Sequence, residues 1–143
     1  MRDKILVVDD ELEIRDLLTE VLTGEGYDVI QASNGVEALE LVEKEEPQVI
    51  LLDVMMPGID GVEVCRRLKE EDKTRFIPII MVTAFEDRDV DAFVMGADDF
   101  VTKPFSLVEL SFRVGSMLRI RHLTDELQRK LAYIEELEKN RPE

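Results

Sequence analysis

The chain has 143 residues, 45% of them hydrophobic and 36% charged, and a formal net charge of -15. That is room for one core plus an appendage, and no apolar run approaches the roughly 18 residues of a membrane span, so a membrane is not an expected partner. An acidic balance of this size lacks the clustered Lys and Arg that a phosphate backbone requires, which excludes nucleic acid as well. The charge is unevenly spread: residues 1–105 hold 11 basic and 26 acidic side chains, whereas residues 106–143 hold seven of each. Two kinds of surface are therefore expected. The segment from Met1 to Lys4 is charged and leads into a short apolar run that ends in acids, unlike a signal peptide, so a cytoplasmic location is expected. Cys65 stands alone with no His or Cys at metal spacing and reads as a structural thiol.

In chain order, Ile5, Leu6, Val7 and Val8 form a continuous apolar run ending in Asp9-Asp10. Leu12, Leu17, Leu18, Val21 and Leu22 then recur at helical spacing, with Gly24 and Gly26 placed to close the helix. Val29-Ile30 reads as a second strand, and Val36, Ala38, Leu39 and Val42 as a second helix. Pro47 precedes the run Val49-Ile50-Leu51-Leu52, which ends in Asp53; Pro57-Gly58 makes a turn, and Val62, Val64 and Leu68 mark a third helix. Ile79-Ile80-Met81-Val82 ends in Thr83, and the weaker Phe100-Val101 runs into Lys103-Pro104. Asp10 with Glu13, Asp60 with Glu63 and Ser106 with Glu109 each have the spacing of a capping box at a helix start. Continuous rather than alternating apolar strands are buried on both faces. The strand-helix alternation, repeated five times, thus predicts an α/β fold: a five-stranded parallel sheet covered by five helices, joined by right-handed crossovers.

Ligands of an open parallel sheet bind beyond the carboxyl ends of its strands. Those ends carry Asp9, Asp10, Asp53, Thr83 and Lys103. Each alone has an ordinary surface role; their joint placement is what chance does not supply. Converging carboxylates repel unless protonated or bridged by a hard cation with oxygen ligands. Mg2+, which keeps several waters and takes one or two carboxylates plus phosphate oxygens, suits a shallow rim. Asp53 beside such a cation can attack phosphorus while Lys103 neutralises the equatorial oxygens, giving an aspartyl phosphate.

VVDDE at 7–11, LLDVMMPGIDG at 51–61, VTAF at 82–85 and GADDFVTKPF at 96–105 resemble the response regulator receiver family of two-component signalling, over residues 3–120. The resemblance implies a flavodoxin-like, doubly wound sheet of order 2-1-3-4-5. It also implies phosphoryl transfer from a sensor histidine kinase to Asp53, with slow self-hydrolysis as the only turnover, so no enzyme in the usual sense. It implies Mg2+ held by Asp10, Asp53 and the main-chain carbonyl of Met55, and by Asp9 through water. Thr83 and Lys103 would contact the phosphoryl group, Thr83 and Phe100 would form the switch, and the Lys103-Pro104 peptide would be cis. Phe100 stands where the family often has Tyr, which leaves the aromatic member of the switch without a hydroxyl. Met55 and Phe85, two residues past Asp53 and Thr83, overhang the phosphoryl group in that family; as bulky apolar side chains they would slow its hydrolysis.

Two enzyme readings share parts of this pattern. A dinucleotide-binding fold needs glycines in the first turn, where this chain has Asp9-Asp10-Glu11. A haloacid dehalogenase type phosphatase also uses an aspartyl nucleophile and Mg2+, but carries a second Asp two residues on, where this chain has Met55.

From Ser106 the helical pattern continues to about residue 140, roughly 50 Å at 1.5 Å per residue. The expected division is a receiver over 1–120 and a helical extension over 121–143. Ile120, Leu123, Leu127, Leu131, Ile134 and Leu137 form a stripe that predicts a parallel coiled coil and a homodimer, with Lys130 at a position a strict heptad reserves for an apolar residue. Gly115-Ser116 is the expected site of any kink. The output is expected to be either a docking or relay surface or a downstream effector domain.

Overall fold

The computed structural model describes residues 2–84 and 96–142. Five strands, β1 (Lys4–Val8), β2 (Asp28–Ala32), β3 (Val49–Asp53), β4 (Ile79–Ala84) and β5 (Asp99–Lys103), form one sheet of order β2-β1-β3-β4-β5. All four pairings are parallel. Among the described residues there are four helices: α1 (Leu12–Gly24), α2 (Gly35–Glu45), α3 (Gly61–Glu70) and α4 (Leu107–Lys139). The helix expected between β4 and β5, with Phe85, falls in 85–95 and lies outside the described residues.

The continuous apolar strands divide by parity. Ile5, Val7, Val49, Leu51, Ile80 and Val101 meet Leu18 and Leu22 of α1 and Leu110, Val114, Met117 and Leu118 of α4. Leu6, Val8, Ile50, Leu52, Ile79 and Met81 meet Ala38 and Val42 of α2 and Val64, Cys65 and Leu68 of α3 on the opposite face. Side chains of a strand alternate between faces, so a run apolar at every position can only be satisfied by two helical layers. Cys65 is buried in the second of these layers, and burial pushes its thiol up to about 11, which keeps it protonated and inert.

Three helices begin on a side-chain cap: Asn34 accepts from the Glu37 amide, Asp60 from Glu63 and Ser106 from Glu109. The capping box expected at Asp10 is not made. The cap of α1 is Glu11, without a side-chain bond, so the Asp10 carboxylate is not used on the helix. Nor does Gly115-Ser116 interrupt α4, which runs through all 33 residues. Its last buried residue is Leu118; His122 still reaches Asp3 beside β1, and from Glu126 every described residue is exposed. No helix among the described residues is long and apolar enough to cross a membrane.

Candidate functional site

Sheet register assembles the rim. Asp53 pairs with Val82, Thr83 with Thr102 and Ala84 with Lys103, so three chemically active residues lie at the carboxyl ends of neighbouring strands. On the other side, Val8 pairs with Leu52, and Asp9 follows one step later beside Asp53. Behind β3 the chain must turn sharply into α3, and Gly61 makes this possible: a Cβ there would come within 2.2 Å of the Asp53 carbonyl oxygen. The Gly61 amide donates to the Val54 carbonyl, tying the turn down.

Asp9, Asp53 and Thr83 are the buried polar residues among those described, at 2%, 4% and 1% exposure, whereas Asp10 is exposed. Carboxylate oxygens of Asp9, Asp10 and Asp53 all lie within 4.8 Å of one another. Lys103, 94 positions from Asp9 along the chain, comes to them with its Nζ 3.1 Å from Asp9 Oδ2 and 3.5 Å from Asp53 Oδ1. Met55 lies exposed just past β3, and its amide donates to Asp53 Oδ1 at 3.3 Å. The Thr83 hydroxyl donates to the Ala84 carbonyl at 3.2 Å. Phe100 is half-buried against the α2/α3 layer. The peptide joining Lys103 to Pro104 is cis.

Electrostatically the site is short of positive charge. Burial, then the neighbouring Asp9, pushes the Asp53 carboxyl up to about 6, against the pull of Lys103 and the Met55 amide. At Lys103 burial opposes the ammonium, but Asp53 and Asp9 outweigh it and its pKa is raised. One ammonium among three acids leaves a net negative cradle of hard oxygen donors, which a small divalent cation fits: it would be met by carboxylates on one side and left open to solvent and phosphate oxygens on the other.

This five-stranded parallel sheet carries an acidic cradle, a hydroxyl and a lysine on its carboxyl rim, and the family model described as the response regulator receiver domain matches residues 5–114. The chain belongs to that family. A solved structure described as a response regulator of Chloroflexus aurantiacus J-10-fl is 38% identical, with TM-score 0.79, over 83% of this chain and 99% of that one. Chemotaxis protein CheY4 of Vibrio cholerae is 31% identical, with TM-score 0.75, over 82% of this chain and 99% of its own. NtrX of Brucella abortus is 30% identical, with TM-score 0.81, over 90% of this chain but 29% of its own length, so there the likeness covers one part of a longer protein. The haloacid dehalogenase reading is not favoured by any of these matches.

Two residues beside the site belong to no motif in the sequence: Arg15, whose Nη1 donates to the Asp9 carbonyl at 2.7 Å, and Gln31 of β2, whose Oε1 accepts from Arg15 Nε at 3.1 Å. A cation in the first turn of a helix opposes the helix dipole.

Proposed function

We propose that the chain is a phosphorylation switch in which Asp53 accepts a phosphoryl group from a histidine kinase, with Mg2+ held by Asp10, Asp53 and the Met55 carbonyl and, through water, by Asp9. The observation that carries the reading is the burial of Asp53 between an acidic pair and the Lys103 ammonium. An Asp53 oxygen would attack phosphorus as the P–N bond of a phosphohistidine breaks, the electron pair leaving with the imidazole. The bound cation would supply charge neutralisation at the transferring oxygens. Lys103 would exchange its contact with Asp53 for one with a phosphoryl oxygen, and Thr83 would donate its hydroxyl to another. Both moves draw on groups already beside Asp53. Phe100, packed but not sealed, would follow Thr83 inward.

Persistence of the phosphoryl group would be set by Met55, an exposed apolar side chain that excludes rather than orients water, and by Phe85. A Met55→Asn, Phe85→Glu variant is expected to lose phosphate faster. Incubating the purified chain with acetyl phosphate and MgCl2 and measuring intact mass tests the whole reading: one phosphoryl group should be gained, and none in Asp53→Asn or with a chelator. Equal gain by that variant would overturn it.

The same reading assigns residues 1–120 to the receiver and 121–143 to a cytoplasmic coiled-coil extension that pairs with a second copy. Ile120, Leu123, Leu127, Leu131, Ile134 and Leu137 are each 47% to 65% exposed. With a second helix they offer on the order of the 1,000 Å² a specific interface needs. The segment 106–143 is also neutral while the rest carries the full -15, so copies repel least along the tail. Ile120, Leu127 and Ile134 recur every seven residues, flanked by Leu123 and Leu137 on one side and Leu131 on the other; Lys130 interrupts the first flank. A downstream effector would receive the signal through this helix.

A further inference from the structure

We propose that Arg15 is a positioning residue for the divalent cation, acting through the backbone of the Asp9-Asp10 turn; the inference rests on the metal-dependent reading of the site given above. The turn between β1 and α1 must present the exposed Asp10 carboxylate toward the buried pair Asp9 and Asp53. A side-chain cap fixes the chain at the starts of α2, α3 and α4, but α1 has none. The turn is held instead at Asp9, whose amide donates to the Ala32 carbonyl of β2 at 3.2 Å and which accepts at three further atoms. Its Oδ1 accepts from the Glu11 amide at 2.9 Å, its Oδ2 pairs with Lys103 at 3.1 Å, and its carbonyl accepts from Arg15 Nη1 at 2.7 Å.

The guanidinium is itself anchored. Nε donates to Gln31 Oε1 at 3.1 Å, and Gln31 Nε2 donates back to Thr19 Oγ1 of α1 at 2.7 Å and to Asp16 at 3.3 Å. Thr19 in turn donates to the Arg15 carbonyl at 2.7 Å. Strand β2, helix α1 and the acidic turn are thereby linked through one planar fork, a geometry lysine cannot reproduce because its ammonium is a single point on a flexible stem. Partners one shell out from the ligands fix ligand orientation, and losing one typically costs 10- to 100-fold in metal affinity. A cation placed against the helix dipole and close to a cation site would otherwise be a double liability.

The sign of the effect separates positioning from simple charge. Removing a positive charge near a divalent site should tighten Mg2+ binding by electrostatics alone; removing the anchor of Asp9-Asp10 should weaken it. The test is titration of MgCl2 alone into the full chain, followed by calorimetry and by the amide resonances of Asp10 and Val54, for the parent, Arg15→Ala, Arg15→Lys and Gln31→Ala, with melting temperatures alongside. Arg15→Ala is expected to bind Mg2+ about tenfold more weakly, Arg15→Lys to be only partly restored, and Gln31→Ala to fall between Arg15→Ala and the parent. Unchanged or tighter binding in a folded Arg15→Ala chain overturns the inference, and should that variant not fold, unchanged binding in both Arg15→Lys and Gln31→Ala does so. A parent that shows no saturable Mg2+ binding sinks the reading of the site itself, a result distinct from either.

Discussion

The two halves of α4 share one helix and have opposite surroundings. Up to Leu118 one face of it, Leu110, Val114, Met117 and Leu118, is buried against β1, β3, β4 and β5, while Val108 and Phe112 point outward; from Ile120 onward the apolar stripe stands about half exposed. The backbone is continuous across the change. What differs is the presence of a sheet, and the comparison teaches that helical periodicity specifies a face without specifying what covers it. For the first half the cover is within the chain, and for the second we propose another copy.

The comparison breaks most sharply on deletion of residues 121–143. The remaining receiver is expected to stay folded and to sediment as a monomer, while the full chain sediments as a dimer. A full chain that stays monomeric at high micromolar concentration, with and without beryllofluoride, removes the tail interface.

A paired truncation sharpens it. Ile80→Ala, in the buried layer beneath α4, should cost the receiver about 2–5 kcal/mol in urea unfolding, as large-to-small core changes do. In contrast, Leu131→Ala should leave receiver stability within about 0.5 kcal/mol and weaken only self-association. Equal losses would mean that the tail packs on its own domain.

Function and stability also oppose each other at the site. Because burial and Asp9 raise Asp53 to about 6, the unfolded chain releases this proton first, and the stability from this group is lost as pH rises from about 4 through 6. Asp53→Asn removes that burden. In chelator the variant should exceed the parent by on the order of 1–3 kcal/mol at pH 7.5, and the advantage should vanish near pH 4. A difference independent of pH would contradict the assigned cause. The smallest effect belongs to a cap remote from both regions: Asn34→Ala, which removes the acceptor of the Glu37 amide at 2.8 Å, should cost about 1 kcal/mol by the same unfolding measurement and leave self-association unchanged.

Much of this was legible because strand ends are legible. An apolar run that stops on Asp9, Asp53, Thr83 or Lys103 locates those residues once a parallel sheet is inferred, since register does the rest. Sheet order came only through resemblance. Local pattern misled at Asp10, where the capping-box spacing is present but the cap falls at Glu11 and leaves the Asp10 carboxylate to the site. The same spacing at Asn34 and Glu37 does mark a real cap, in which Asn34 accepts from the Glu37 amide. The network of Arg15, Gln31 and Thr19 was out of reach for a different reason: it joins a helix to a strand through side chains, and spacing along one element carries no information about a partner on another.

The most direct test of the central claim is the identity of the phosphorylated residue. Chain loaded with acetyl phosphate and Mg2+ should be reduced with borohydride, which converts an aspartyl phosphate to homoserine, and then digested and sequenced by mass spectrometry. Homoserine at position 53, absent when Mg2+ is chelated, is the predicted result. Homoserine at another acid, or modification that ignores the cation, would contradict the account.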